Sequence, residues 1–147
     1  MQIDQYELLA SNQAVTNAAI SGNIIDFRAT TRRPGVGARP IGVLLQCTVA
    51  MSDSSSNSTV PVYFQTDAAA NMASATNAQL LHTFAVNTAA GTSVWVPLTA
   101  TAAEKYGALY FDPQGGDLTT GSFTAFLCPD PQLWSAYPVS YAGPATA

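Results

Sequence analysis

The chain has 147 residues, enough for one domain with its own core, and carries a net charge of −4 with only 10% charged residues. This acidic balance argues against a nucleic-acid-binding protein, because such proteins normally present a basic face. No apolar run approaches the roughly 20 residues of a membrane-spanning helix. We expect a single domain over residues 1–147 whose polar, weakly ionic surface suits packing in an assembly.

The N-terminal segment, residues 1–23, is predicted to be an arm that includes a first strand near Gln13–Thr16. Its opening letters, MQIDQYELL, contain acidic residues where a secretory signal would need cations and then an apolar stretch. We therefore expect synthesis in the cytoplasm without export. A second, shorter strand is predicted over Ile24–Phe27.

A Gly/Pro-rich loop follows, with the sequence TTRRPGVGARPIG from Thr30 to Gly42. Its glycine spacing matches neither a dinucleotide motif nor a P-loop, and a strand follows it where both motifs need a helix. We predict that the loop docks on an acidic patch of a protein partner through guanidinium–carboxylate contacts. The alternative is a solvated loop whose arginines pair with Asp26 or Asp4. The loop holds three of the five Lys and Arg residues in the chain: Arg32, Arg33 and Arg39.

Apolar residues then recur at every second position in four runs, which is the period of a β-strand. The predicted inward-facing residues are Ile41, Val43, Leu45, Cys47 and Val49, then Val60, Val62 and Phe64, then Leu80, Phe84 and Val86, then Val94, Val96 and Leu98. Pro61 and Pro97 lie in two of these runs and predict that both are edge strands. Proline has no N–H to donate, and one side of an edge strand forms no ladder hydrogen bonds.

Two denser apolar runs, Tyr106–Phe111 and Phe123–Cys128, are predicted to be central strands covered on both faces. About eight short strands separated by Gly, Pro, Asn and Ser turns indicate an all-β sandwich. A jelly roll is the favoured topology and an immunoglobulin-like sandwich is the alternative.

Residues capable of catalysis are few and scattered, so we expect no enzyme activity, no metal site and no cofactor. His82 is the only histidine, and its alternation with Leu80 and Phe84 indicates a structural role on the apolar face. Cys47 and Cys128 lie in apolar runs, where two buried reduced thiols are favoured over a disulfide.

The C-terminal segment, residues 130–147, is predicted to be an extended tail in which repeated prolines prevent regular structure. Aromatic side chains in such a tail make strong interface anchors, so we predict that they bind a partner. The alternative is that Trp134 folds back onto its own sandwich. The predicted anchors are Trp134, Tyr137 and Tyr141.

Three parts of the sequence resemble the cement, or decoration, proteins of short-tailed double-stranded-DNA phage capsids. The opening YELLASNQAVTNAAISGNIIDF is similar to the start of that family. AEKYGALYFDPQGG followed by GSFTAFL is similar to its pair of late strands, and DPQLWSAYPVSYA resembles its C-terminal signature. The three parts cover about half of the chain. The arginine loop and the Ser-rich hairpin over 53–58 match nothing in the family, and Phe126-Leu127 stands where the family often has a smaller residue.

The resemblance implies a jelly-roll protein on the outer surface of an icosahedral virion, where it bridges neighbouring copies of the major capsid protein and stabilises the shell. From the net charge and the lack of a long apolar run, we expect no nucleic-acid partner and no membrane partner. We also expect self-association, as a homodimer or alternatively a trimer, because of the weakly charged surface. A second hypothesis is a jelly-roll module that binds host glycans or a receptor through exposed Trp95, Trp134 or tyrosine residues.

Overall fold

The computed structural model describes residues 8–27, 41–99 and 104–129, and every regular element in them is a β-strand. No helix able to cross a bilayer is present in these ranges. The nine strands are β1 (Leu8–Ala14), β2 (Ala19–Ile20), β3 (Ile25–Asp26), β4 (Ile41–Ser52), β5 (Val60–Asp67), β6 (Thr76–Phe84), β7 (Ser93–Pro97), β8 (Tyr106–Phe111) and β9 (Thr120–Pro129).

The strands form two antiparallel sheets that pack as a sandwich. The first sheet has the order β1-β9-β4-β7, and the second has the order β2-β8-β5-β6, with β3 also paired to β8. We count β2 and β3 as one interrupted strand. Only one pair of consecutive strands, β5 and β6, then lies side by side in the same sheet. Every other connection crosses between the sheets, which is jelly-roll topology. An immunoglobulin-like sandwich would pair several consecutive strands, so the favoured topology is correct.

The core lies between the sheets and is built from the strand alternation that the sequence predicted. Val60, Val62 and Phe64 on β5 are fully buried, as are Val43 and Leu45 on β4, with at most 1% exposure. The two dense runs are central strands, since β8 and β9 each pair on both sides.

Two predicted core positions are wrong because β-bulges change the face to which residues point. β4 contains register shifts between Cys47 and Val49 and between Val49 and Ser52, and Val49 is exposed. β6 contains an extra residue between His82 and Leu80 relative to β5, so Leu81 is buried and Leu80 is 53% exposed. A bulge inserts one unpaired residue and reverses the alternation beyond it.

Three other boundary predictions also need correction. The first strand is Leu8–Ala14 rather than Gln13–Thr16, because register shifts hide its alternation. Val86 lies beyond the end of β6 and is exposed. Pro61 is predicted by the sequence to lie in an edge strand, but it lies in the central strand β5, near the start of the strand, where fewer ladder hydrogen bonds are lost. Pro97 lies at the end of β7, which is an edge strand as predicted.

Gly107 on β8 packs directly against two aromatic rings of the core. A Cβ added at Gly107 would overlap the ring of Phe27 and lie 2.8 Å from Cζ of Phe64. Both rings are buried and pack against each other, with centroids 6.0 Å apart. Neither ring can move away without disturbing the other.

We predict that Gly107→Ala lowers the free energy of unfolding by about 1–3 kcal/mol, the usual cost of overpacking a core. Gly22→Ala is the matched control, since its Cβ would lie 3.7 Å from Oε1 of Gln13, an ordinary contact. Urea unfolding of both variants measures the difference. Equal midpoints for the two variants would contradict the packing argument.

Candidate interaction site

The six residues predicted to bind a partner lie outside the described residues. They are Arg32, Arg33, Arg39, Trp134, Tyr137 and Tyr141. The described strand ends nevertheless limit where their segments begin. The arginine segment, residues 28–40, is attached to the described residues at Phe27 and Ile41, and residues 130–147 are attached at Pro129.

These two segments start from neighbouring points, because Ile41 and Pro129 are register partners on β4 and β9. The sequence separates Arg39 from Trp134 by most of the chain, and the sheet brings their attachment points together.

Further strand ends lie at the same end of the sandwich. The N–H of Phe27 donates to the carbonyl of Lys105 (2.9 Å), and that of Leu98 donates to the carbonyl of Ile41 (3.1 Å). We call this the arginine end, defined by Phe27, Ile41, Leu98, Lys105 and Pro129. It exists because consecutive antiparallel strands place successive connections at alternating ends of a jelly roll.

The opposite end has a different charge. Its four connections, residues 15–18, 53–59, 85–92 and 112–119, are all described and contain no Lys or Arg. They contain three carboxylates: Asp53, Asp112 and Asp117. The arginine end has Lys105 together with three described carboxylates, Asp26, Asp67 and Glu104, so among the described residues the two ends differ by one cation. The other four cations of the sequence lie between Phe27 and Ile41, outside the described residues.

Lys105 forms an ion pair at the border of the arginine end. Its Nζ lies 3.5 Å from Oδ2 of Asp26 and 4.9 Å from the ring centroid of Tyr106. The hydrogen bond with Tyr106 and then the charge of Asp26 hold the pKa of Lys105 above its ordinary value. Asp26, one of the two carboxylates considered as partners for the arginines, thus already binds a cation, while Asp4 lies outside the described residues.

The connection between β5 and β6 is held at the arginine end by a buried carboxylate. Asp67 accepts hydrogen bonds from the backbone N–H groups of Ala69 (2.9 Å) and Ser74 (2.8 Å). These bonds hold the pKa of Asp67 below its ordinary value. Within the same loop, Met72 is buried with a positive φ of 54°, which the surrounding bonds must maintain.

We predict that Asp67→Asn destabilises the protein at pH 7, because an amide cannot accept both N–H bonds. The folded-state pKa is lowered, so the stabilising effect of Asp67 is present above its unfolded pKa of about 3.9 and is lost as pH falls through the folded value. Thermal unfolding of both proteins between pH 7 and pH 3 should show that the difference between their melting temperatures becomes smaller at low pH. Asp117→Asn, at an exposed site, is the control. A difference in melting temperature that stays constant with pH would refute the role given to the Asp67 carboxylate.

The polar and aromatic candidates within the sandwich have structural contacts. His82 is half-buried and lies edge-on to Phe84 with ring centroids 4.9 Å apart, and burial lowers its pKa. Trp95 is also half-buried; its Nε1 donates to the carbonyl of Cys128 (3.2 Å), and its ring covers Gly42. Neither ring stands exposed on the surface.

The two cysteines are buried and not linked by a disulfide. Cys47 faces the core, where its Sγ donates to the carbonyl of Val49 (3.1 Å) and burial raises its pKa. Cys128 pairs with Gly42 and so points to the other face of the same sheet. In the described part of the chain, no three His, Cys, Asp or Glu residues are placed to hold a metal ion.

A comparison with protein families identifies one match. The family model Bbp16 matches residues 9–127, from the start of β1 almost to the end of β9. The matched region therefore includes the arginine segment and excludes the C-terminal tail. No curated protein sequence matches the chain.

Proposed function

We propose that this chain, which belongs to the Bbp16 family, is a structural virion protein that binds the outer surface of an icosahedral capsid. It bridges neighbouring major capsid protein subunits after synthesis in the host cytoplasm, and it acts by burying surface rather than by catalysis. The likeness of its sequence to capsid cement proteins motivates this proposal. A jelly roll is compatible with it but also serves other functions.

The observation that best supports the proposal is the pairing of Ile41 with Pro129. It puts the points at which the arginine-containing segment and the aromatic tail attach on neighbouring strands at one end of the sandwich. Arginine forks recognise carboxylates, and aromatic residues bury large areas with few rotatable bonds. Such an end suits an acidic protein surface that also offers apolar pockets. The opposite, cation-free end would face away from the capsid.

The strength of each contact need not be large. A standard interface buries about 800 Å² per partner, and many copies on one shell act together. Within the glycan-binding hypothesis, Trp95 is a poor candidate, because its ring covers Gly42 and its N–H donates to the carbonyl of Cys128.

Copy number in purified particles tests the proposal. A cement protein should be present in amounts comparable to the major capsid protein, because it occupies a repeated lattice site. Quantitative mass spectrometry of virions measures the ratio. A few copies per particle would instead indicate a receptor-binding protein, and complete absence from particles would refute a structural virion role.

We predict that changing Arg32, Arg33 and Arg39 together to Ala sharply reduces binding to shells that lack the protein. A hydrogen bond between charged groups contributes roughly 1.5–3 kcal/mol, so losing even one would weaken binding about tenfold or more. The melting temperature of the isolated domain should hardly change if the arginines serve docking. Co-sedimentation with shells at low and high salt measures occupancy. Full occupancy by the triple variant at all salt concentrations would rule out arginine docking.

A further inference from the structure

At one edge of the sandwich, the side chain of Gln13 joins the two sheets. Gln13 belongs to β1, an edge strand of the first sheet, and its Nε2 donates to the carbonyl of Ile20 (2.8 Å) on β2, an edge strand of the second. Its Oε1 accepts from the N–H of Gly22 (2.8 Å). One amide therefore occupies a backbone carbonyl and the N–H two residues further along the facing edge.

At the other edge of the sandwich, Gln79 makes the same pair of bonds. It belongs to β6, the other edge strand of the second sheet, and its Nε2 donates to the carbonyl of Pro97 (3.0 Å) at the end of the edge strand β7. Its Oε1 accepts from the N–H of Thr99 (3.0 Å). A residue of a parallel neighbouring strand would bond the same two groups, so each glutamine takes the place of one residue of an added strand.

The edge strands have few other features that would prevent pairing with another polypeptide strand. Proteins usually protect the unpaired N–H and C=O groups of an edge with charged side chains, prolines, bulges or short strands. β1 (LLASNQA), β6 (TNAQLLHTF) and β7 (SVWVP) contain no Asp, Glu, Lys or Arg. Register shifts interrupt β1 and β6, and β7 is short and ends at Pro97. β6 is nevertheless nine residues long and carries Leu80, which is 53% exposed.

We propose that Gln13 and Gln79 are edge clamps, which keep another polypeptide strand from pairing with either edge of the sandwich. An added strand would need the backbone groups that the clamps already bond, and it could reach them only after the glutamine had moved away. Only 10% of the residues are charged, so these amides do what charged side chains do at the edges of many sheets. This role concerns the free protein and goes beyond the proposed function.

The two edges differ in how much else holds them closed. At the Gln13 edge, Asn23 also joins the sheets, because its N–H donates to the carbonyl of Leu9 (3.0 Å) and its Nδ2 donates to that of Leu8 (2.9 Å). At the Gln79 edge, the bonds that join β6 to the segment at the end of β7 come from Gln79 itself. We therefore expect the loss of Gln79 to have the larger effect.

The experiment compares Gln79→Met with Gln46→Met in the isolated full-length protein. Methionine is an unbranched side chain of similar length that cannot donate a hydrogen bond and is only a weak acceptor. Gln46 is the matched control, because it is also half-buried but lies in β4, where its register partners Ser93 and Thr124 flank it on both sides. Both variants gain the same apolar side chain, but only one of them changes an edge.

Hydrogen exchange at the amide of Thr99 is the first readout. It should become about tenfold faster in Gln79→Met, because both bonds of the clamp are lost, and it should stay unchanged in Gln46→Met. Gln13→Met should accelerate exchange at Gly22 by a smaller factor. Amides of the central strand β8 should keep their rates in all variants, which shows that the fold is intact. Unchanged exchange at Thr99 in Gln79→Met would overturn the proposal.

Association is the second readout, measured by sedimentation velocity at increasing protein concentration. Gln79→Met should form larger oligomers than the unchanged protein does, whereas Gln46→Met should not. Equal association of these two variants, or none by a Gln79→Met protein whose Thr99 exchange is accelerated, would contradict the clamp.

Gln79→Glu provides a further test that does not depend on the folding of the methionine variant. Its carboxylate can still accept from Thr99, and its charge should protect the edge, so we expect no added association. Oligomers formed by Gln79→Glu would count against edge pairing as their cause and would overturn the proposal. No capsid is involved in any of these measurements, so their outcome is separate from that of the shell-binding experiments.

Discussion

The contact on which the whole sandwich depends is the stack of three phenylalanines that joins its two sheets. Phe123 on β9 of the first sheet packs between Phe84 on β6 and Phe111 on β8 of the second, at centroid distances of 4.9 and 5.3 Å. All three rings are at most 1% exposed. Removing a buried phenylalanine ring typically costs about 3–5 kcal/mol, a large part of the stability of a small domain.

The two sheets also meet at one edge through a single side chain. Gln79 on β6 donates to the carbonyl of Pro97 (3.0 Å) and accepts from the N–H of Thr99 (3.0 Å). Its amide thus provides the donor and acceptor that a neighbouring strand would provide. This contact joins β6 to the segment after β7, so the two edge strands on this side of the sandwich are tied together.

Jelly-roll connectivity determines the end of the sandwich at which each connection lies. Crossing between sheets at nearly every connection sends alternate loops to opposite ends, whatever their composition. Lys105, the one cation among the described residues, lies at one end, and the other end has paired loops held by Thr59, Gln114 and the Ser58 hydroxyl. The two ends of the sandwich therefore differ in the loops that they carry, and the described loops of one end contain no Lys or Arg.

The sequence by itself determined the fold class and most of the strands, because burial on one face enforces a two-residue period that can be read without a structure. It located β4, β5, β8 and β9 close to their observed bounds, and it identified the arginine and aromatic segments as candidates. It placed Val49 and Leu80 in the core wrongly, since a bulge leaves no mark in a pattern of apolar residues. Only the tertiary structure decided which strands are neighbours. Ladder hydrogen bonds join residues that are far apart in sequence. Ile41 pairs with Pro129 in the first sheet, and successive pairings across the second sheet connect Ile20 to Leu80. Backbone groups are the same in every residue, so their partners are chosen by the packing of both sheets together and not by local sequence.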